Sequence, residues 1–560
     1  MIGQSMFKRF QPTALLITLL ALAQPIAPAV FAQNPVPAQQ PSAAPAPESL
    51  ESLAARIAAH IAQPRFAPAA WGVKVVSLDS GKTIFEHNAG KYFNPASNAK
   101  LYTAALALDR LGADYRIRTS LYSAARPDGA GALKGDLIVY GRGDPTMTAS
   151  LNEGDYFKGL EPLAQQLANA GVRRVEGDII GDESYFATPP IGSGWEWDDL
   201  QEYYGAEVSA LTVNDNALDL FVKPADRVGL PCRVTTGPSV SFVTLMNRTQ
   251  TAPKGAEARV VVYRPVGENV VYVSGRLPAD SKGYRGSVAV HNPAALFAHL
   301  FKEALARRGI TVTGRARTID WKYREVTPVD FAKLVELGFV ESPPLKDIVR
   351  ETLKPSQNLY AQLLLLQVGA RRVPGSQSSV DPSVNSTAKP SNLVTGSQAP
   401  DTQLTTEQLG VQTLGEFLAE AGVKNGDVLL EEGSGLSRKD VITPNATIAL
   451  LTHMSRHRCG EVYRAGLPIA GVDGTLQNRM KGTAAAGNAR AKTGSLRYVY
   501  TLSGYVTTAA GERLAFSIML NNYYNADQTS PPRNDIDAIV VMLAGYAGTS
   551  REQKAEGRRQ

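Results

Sequence analysis

Three short polar motifs, set far apart in the chain, constrain the fold more than any other feature. They are Ser97-Asn98-Ala99-Lys100 near the start, Ser356-Gln357-Asn358 in the middle and Lys492-Thr493-Gly494 near the end. Together they hold a serine nucleophile, an amine base, a hydroxyl relay and a carboxylate anchor. To work as one site, three distant stretches must meet. The motifs also recur by accident. Ser-x-x-Lys occurs three times, from Ser5, Ser97 and Ser386; Ser-x-Asn occurs three times, from Ser150, Ser356 and Ser383; Lys-Thr-Gly occurs once.

The flanking patterns choose between the copies. After Asn94-Pro95-Ala96, the residues Leu101, Ala104, Ala105, Leu108 and Leu111 keep helical spacing, and Gly112 is a plausible stop. Ser97 would stand where that helix starts, beside unpaired N–H groups and a partial positive charge. Lys100, one turn on, lies on the same face. A lysine serves as base only if burial or a neighbouring cation lowers its pKa, and Lys492 could be that cation. Ser356 and Asn358 would sit where a loop enters a helix running on through Leu359–Leu366. There Ser356 can pass a proton to the leaving group, and Asn358 can orient Lys100 or a substrate amide. An ordinary N-cap explains Ser356 equally well.

Lys492-Thr493-Gly494 reads as part of a strand. Gly494 lets a ligand backbone approach. Lys492, Thr493 and Ser495 can grip a carboxylate, and the N–H groups of Ser97 and Ser495 would form an oxyanion hole. One such donor contributes roughly 3–4 kcal/mol in acyl transfer.

The rest of the chain sets the frame. Lys8 and Arg9, the apolar run Leu15 to Ala23 and Val30-Phe31-Ala32 read as a secretory signal peptide over 1–32, too short to span a bilayer. A Pro/Ala/Gln-rich spacer follows over 33–47. No transmembrane anchor is expected after cleavage, so the expected compartment is the periplasm. The net charge of +6 is spread over 560 residues without basic clusters, so no nucleic-acid partner is expected. Cys232 and Cys459, the two cysteines, read as unpaired buried thiols. Helices are expected at Leu50–Ala62, Pro293–Arg308 and Asp535–Ala547. A hairpin is expected at Trp71–Leu78 and Thr83–His87. Antiparallel strands are expected at Arg490–Thr493, Tyr498–Thr507 and Glu512–Asn521.

Domain boundaries follow from texture. Residues 48–114 and 287–550 form the chemistry-bearing domain, and 115–286 read as an inserted β-rich part with two nested domains. Segment 375–402, rich in Ser, Thr, Gln and Pro, reads as a disordered loop and disqualifies Ser383 and Ser386. Residues 551–560 form a tail.

Rival constellations are weaker. His453 and His457 have i,i+4 spacing with Cys459 nearby, but Met454 stands where a metalloprotease needs glutamate. No metal and no cofactor are expected. Gly-x-Ser-x-Gly is absent. Arg142-Gly143-Asp144 reads as a turn in a β domain. Trp195 and Trp197 suit packing between domains better than sugar binding.

The resemblance goes beyond three motifs. Gly143-Asp144-Pro145-Thr146, Gly194-Trp195-Glu196-Trp197-Asp198-Asp199, Gly433-Ser434-Gly435-Leu436-Ser437-Arg438, Pro468 to Leu476 and Ser503-Gly504-Tyr505-Val506 stand in the same order around them. The chain resembles the class C low-molecular-mass penicillin-binding proteins. These are the D-alanyl-D-alanine carboxypeptidase/endopeptidase family of penicillin-binding protein 4 type (peptidase S13-like). The resemblance implies an α/β (α+β) fold: a β-lactamase/transpeptidase-like domain whose antiparallel five-stranded sheet is flanked by helices and split by a large insertion. It implies a nucleophile at Ser97, its base at Lys100, a second motif at Ser356 and Asn358, and a third at Lys492, Thr493 and Gly494. Peptidoglycan stem peptides are the implied substrates and β-lactams the implied covalent inhibitors. A homo-oligomer is left open. Two departures stand out: Glu432 replaces the family's usual Asp before Gly-Ser-Gly, and the 375–402 segment is long. A β-lactamase or esterase on the same fold, and a non-catalytic peptidoglycan-binding protein, are the alternatives.

Overall fold

The computed structural model describes residues 48–372, 404–524 and 530–548. The expected signal peptide, spacer, 375–402 loop and 551–560 tail lie outside the described residues. One antiparallel sheet of five strands is built from both ends of the chain. Its order is Arg490–Leu496, Val499–Thr507, Arg513–Asn521, Ala70–Ser77, Thr83–His87. The junction of the two ends is fully zipped, from Ala70 opposite Asn521 to Ser77 opposite Leu514.

Side-chain alternation along Arg513–Asn521 decides what covers each face. Leu514, Phe516, Ile518 and Leu520 join Leu53 and Ile57 of helix Leu50–Ile61 and Ile536, Ile539 and Val540 of helix Arg533–Ala544. Ala515 and Met519 turn the other way, into a core shared by helices Ala99–Leu111, Leu345–Leu353, Asn358–Ala370, Thr406–Glu420 and Pro444–Met454. Helix Asn358–Ala370 is buried along its whole length, as its apolar sequence on every face requires. It packs almost backbone to backbone on its neighbour: a β-carbon on Gly369 would lie 2.0 Å from the Thr406 carbonyl oxygen.

The elements expected from periodicity stand within a few residues of their expected bounds. Gly112 does end helix Ala99–Leu111, with φ of 84°. Ser97 lies just outside that helix, in a 3₁₀ turn over Ala96–Asn98.

Between Leu111 and Leu345 the chain builds other sheets around a separate core that includes Val139, Ile179, Leu211, Phe297 and Phe301. A mixed five-stranded sheet has the order Ala316–Ile319, Ile179–Asp182, Leu137–Tyr140, Arg118–Ser123, Val335–Glu341. Three three-stranded sheets accompany it among the described residues: Tyr284–Ala289 with Ala217–Lys223 and Arg233–Gly237, Thr244–Ala252 with Val270–Pro278 and Arg259–Tyr263, and the short Thr311–Val312 with Arg174–Val175 and Ala132–Leu133. Sequence texture closes this part at 286, whereas strand pairing carries it on to Glu341: Ala316–Ile319 and Val335–Glu341 are the edges of the mixed sheet. Helix Pro293–Arg307 packs in the same core. A returning helical pattern fits a helix covering either sheet, so periodicity alone could not assign it. Helix Glu161–Asn169 was not anticipated.

Cys232 and Cys459 are free and buried in different cores. Among the described residues no helix is long and apolar enough to cross a membrane.

Replacing Phe516, which is 0% exposed, by alanine should cost about 3–5 kcal/mol of stability. Trp197→Ala, at a side chain 71% exposed, should stay within about 0.5 kcal/mol. Urea unfolding followed by circular dichroism checks both.

Candidate active site

The three motifs meet around the Lys100 amine. Its Nζ lies 2.8 Å from Ser97 Oγ, 2.6 Å from Asn358 Oδ1 and 2.5 Å from the Ser434 carbonyl oxygen. Two of these partners are carbonyl oxygens and can only accept; the third is a hydroxyl and can donate. A neutral amine has two hydrogens and one lone pair. It satisfies this set by donating to Asn358 and Ser434 and accepting the Ser97 proton. Lys100 is fully buried, and burial lowers its pKa to about 7, against the opposing charge of Glu432.

Each partner is fixed from behind. Asn358 donates through Nδ2 to the Tyr204 carbonyl, 2.8 Å away. The Ser434 turn hangs on the buried Glu432, which accepts from the N–H groups of Ser434, Gly435 and Leu436 at 2.7, 2.5 and 3.1 Å. Gly433 is held on both sides, by Gln362 Oε1 and by Thr103 Oγ1. The third motif docks through Lys492, whose Nζ donates to Ser356 Oγ and to the Thr493 carbonyl, both at 2.8 Å. Burial, then Lys100 and Arg479, hold that amine well below the usual lysine range. Thr493 Oγ1 donates to Thr475 Oγ1 at 2.8 Å. Ser495 follows, exposed, opposite Tyr500.

Gly494 serves a purpose that the sequence reading did not give it. A β-carbon there would lie 2.1 Å from Thr501 Oγ1, 2.7 Å from the Pro95 carbonyl and 3.1 Å from the Ser97 nitrogen. The strand and the Ser97 turn can therefore approach only through a glycine. Asn98 Nδ2 closes the same contact on the Lys492 carbonyl at 2.9 Å. Two non-glycine residues beside the chemistry hold left-handed backbone, Ala96 with φ of 45° and Ser356 with φ of 69°. Such positions cost about 1–3 kcal/mol each and persist where packing enforces them.

Sequence reasoning missed the Ser434 and Tyr204 carbonyls, Thr475 and the carboxyls under the turn. The Gly433 to Arg438 segment was a signal for two of these; nothing in residue type marks Tyr204. The rival constellations fall elsewhere. His457 Nε2 pairs with Asp109 Oδ1 at 3.0 Å, its ring 5.5 Å from that of His453. Asp144 of the Arg142-Gly143-Asp144 run is buried, capping its own turn through Thr146. Trp195 packs against the helical core. Trp197 does not: it stands in solvent, 71% exposed. Arg438 bonds both to Glu196 at 3.0 Å and to the Arg497 carbonyl at 3.2 Å.

Comparison with known proteins gives a consistent picture. The model of the D-Ala-D-Ala carboxypeptidase 3 (S13) family matches residues 53–399 and 380–546. A D-alanyl-D-alanine carboxypeptidase of an Actinomadura species is 34% identical over 525 residues, 91% of this chain and 87% of that protein. The crystal structure of penicillin binding protein 4 from Haemophilus influenzae superposes with a TM-score of 0.69 at 24% identity, over 90% of this chain and 99% of that one. The same protein complexed with a β-lactam gives a TM-score of 0.64 at 22% identity, with the same coverage.

Two outcomes follow from the geometry. Acylation by a β-lactam should fall as pH drops below about 7, by about tenfold per unit, because only the neutral Lys100 amine can accept the Ser97 proton; stopped-flow fluorescence reads this. Gly494→Ala should slow acylation by more than about a hundredfold at unchanged pH dependence, through misplacement of reacting groups, as followed with a fluorescent penicillin.

Proposed function

This chain belongs to the D-Ala-D-Ala carboxypeptidase 3 (S13) family, and from that premise we propose how its residues carry the reaction. It is a serine-type carboxypeptidase, a hydrolase acting on peptidoglycan. Ser97 Oγ attacks the carbonyl carbon between the two terminal D-alanines of a stem peptide, while its proton passes to Lys100 Nζ. The N–H groups of Ser97 and Ser495 receive the developing oxyanion. The C–N bond breaks, the proton returns to the leaving amine through Ser356 Oγ, and an ester remains on Ser97. Water, deprotonated by Lys100, then releases the shortened peptide. Lys492, Thr493 and Ser495 hold the terminal carboxylate; Asn358 orients Lys100.

One observation carries this reading: Lys100 Nζ sits 2.8 Å from Ser97 Oγ with two carbonyl oxygens saturating its remaining donors. A cross-linked peptide differs only in its leaving group, the side-chain amine of a diamino acid carrying its own carboxylate. Endopeptidase action therefore belongs to the same proposal. So do covalent β-lactam binding, in line with the complex of the Haemophilus influenzae relative, and export to the periplasm, in line with the apolar run Leu15 to Ala23.

Ser97→Ala should abolish labelling by a fluorescent penicillin, and the wild type should release D-alanine from a pentapeptide muropeptide. Cross-linked muropeptides should be cut to monomers, as mass spectrometry of the digest would show. Labelling that survives in Ser97→Ala sinks the nucleophile assignment. Rapid β-lactam turnover without D-alanine release would instead make the chain a β-lactamase.

A further inference from the structure

Two carboxyl groups lie buried together beneath the turn that holds Lys100. Glu432 and Asp440 are both 0% exposed. Glu432 uses both oxygens to accept backbone N–H groups, Oε2 from Ser434 and Oε1 from Gly435 and Leu436. That is the partner set of a carboxylate. Asp440 differs. Its Oδ1 accepts from the Glu431 N–H at 2.8 Å. Its Oδ2 is buried and receives no N–H or O–H among the described residues. The Asp440 carboxyl lies within interaction range of the Glu432 carboxylate.

Two carboxylates with no proton between them repel strongly in a buried site. A proton on Asp440 Oδ2 resolves the conflict. The orphaned oxygen becomes a donor, Glu432 gains a fourth partner, and the pair carries one negative charge instead of two. We propose that Asp440 is a neutral acid donating to Glu432, and that this acid–carboxylate pair is a positioning device for Lys100. Glu432 holds the Ser434 turn, the Ser434 carbonyl takes one Lys100 hydrogen, and Asp440 holds Glu432. Burial, then the charge of Glu432, also push Asp440 well above the usual carboxylate range. The departure of Glu432 from the family's usual aspartate thus comes with a specific partner in this chain.

The other charged groups around the pair do not remove the conflict. Glu431 and Glu407 face it with the same sign; burial and Glu432 push Glu407 up to about 7. Lys100 and, behind it, Lys492 are the cations on the far side of the turn. A single charge on Glu432 favours protonated Lys100; a second on Asp440 would raise its pKa further and weaken it as a base.

The proposal rests on Lys100 being the base, so its test includes a readout that does not. At neutral pH the infrared difference spectrum between wild type and Asp440→Asn, in which the carboxyl groups common to both cancel, should contain a protonated carboxyl C=O band. That band should shift in D2O. Its absence overturns the neutral acid whatever Lys100 does. In acylation kinetics, Asp440→Ala should slow β-lactam acylation by about tenfold or more. Asp440→Asn, whose amide N–H can replace the acid O–H, should restore it with the acid limb of the pH profile unmoved. Glu432→Gln, which removes the charge, should shift that limb to lower pH. If Asp440→Asn shifts the limb down as Glu432→Gln does, Asp440 carries a charge and the proposal fails. If Asn fails to rescue Ala at equal thermal stability, the positioning role fails.

Discussion

A fully buried lysine amine is the constraint on which the rest of this structure depends. An ammonium at that position would lose its hydration without a counter-ion in direct contact. The surroundings supply neutral carbonyl oxygens on two sides and a hydroxyl on the third. That choice favours the amine over the ammonium and points its lone pair at Ser97. Placing the three oxygens recruits every region that was distant in sequence. Asn358 comes on a helix buried along its length, Ser434 comes on a turn pinned by Glu432, and Ser97 comes on a strained 3₁₀ turn. Each is over-determined by packing, which is how a lysine with many rotamers is held in one.

The sheet explains how such distant pieces reach one place. Its outer hairpin is among the first parts of the described chain and its other three strands among the last. The closing pair, Ala70–Ser77 on Arg513–Asn521, forms only after the whole intervening chain exists. Closing so long a loop is costly in entropy, but the cost grows only logarithmically with length. An extra segment as large as 118–341 is tolerable, provided that it has its own core. It does: the cluster around Val139, Ile179 and Phe297 shares no buried residue with the two cores flanking the first sheet. Yet the segment also reaches the chemistry, because the Tyr204 carbonyl fixes Asn358.

Much of this was legible in the sequence, for identifiable reasons. The nucleophile's helix, the second-motif helix and the C-terminal strands are long and strongly periodic, so residue pattern alone places them. What stayed hidden has one common cause. Backbone carbonyls such as those of Ser434 and Tyr204 carry no residue-type signature, so their partners come only from coordinates. The same holds for Gly494, read as room for a ligand, whereas the crowding comes from Pro95 and Thr501 of the protein itself. The strand pairing that runs on to Glu341 was not legible because helix Pro293–Arg307 looks alike whichever sheet it covers. Trp197 was misjudged because a large aromatic residue usually packs, while here it stands in solvent.

The two buried amines also couple the proposed substrate to its own catalyst. Lys100 depresses the charged form of Lys492, since like charges in one dry site repel. Before substrate arrives, the site holds them with few charges. A stem peptide seated as proposed brings a carboxylate to Lys492. That anion favours the ammonium of Lys492, which in turn makes a second ammonium at Lys100 costlier. The carboxylate that marks a peptide end therefore does more than anchor it. It draws the positive charge to the third motif and leaves the first motif's amine neutral, in the state that can take the Ser97 proton. A ligand of the same shape without that carboxylate would bind the groove yet leave the shared charge undirected. On this argument, preference for a terminal carboxylate resides in the rate of acylation more than in affinity, because the gain is realised only where the proton moves.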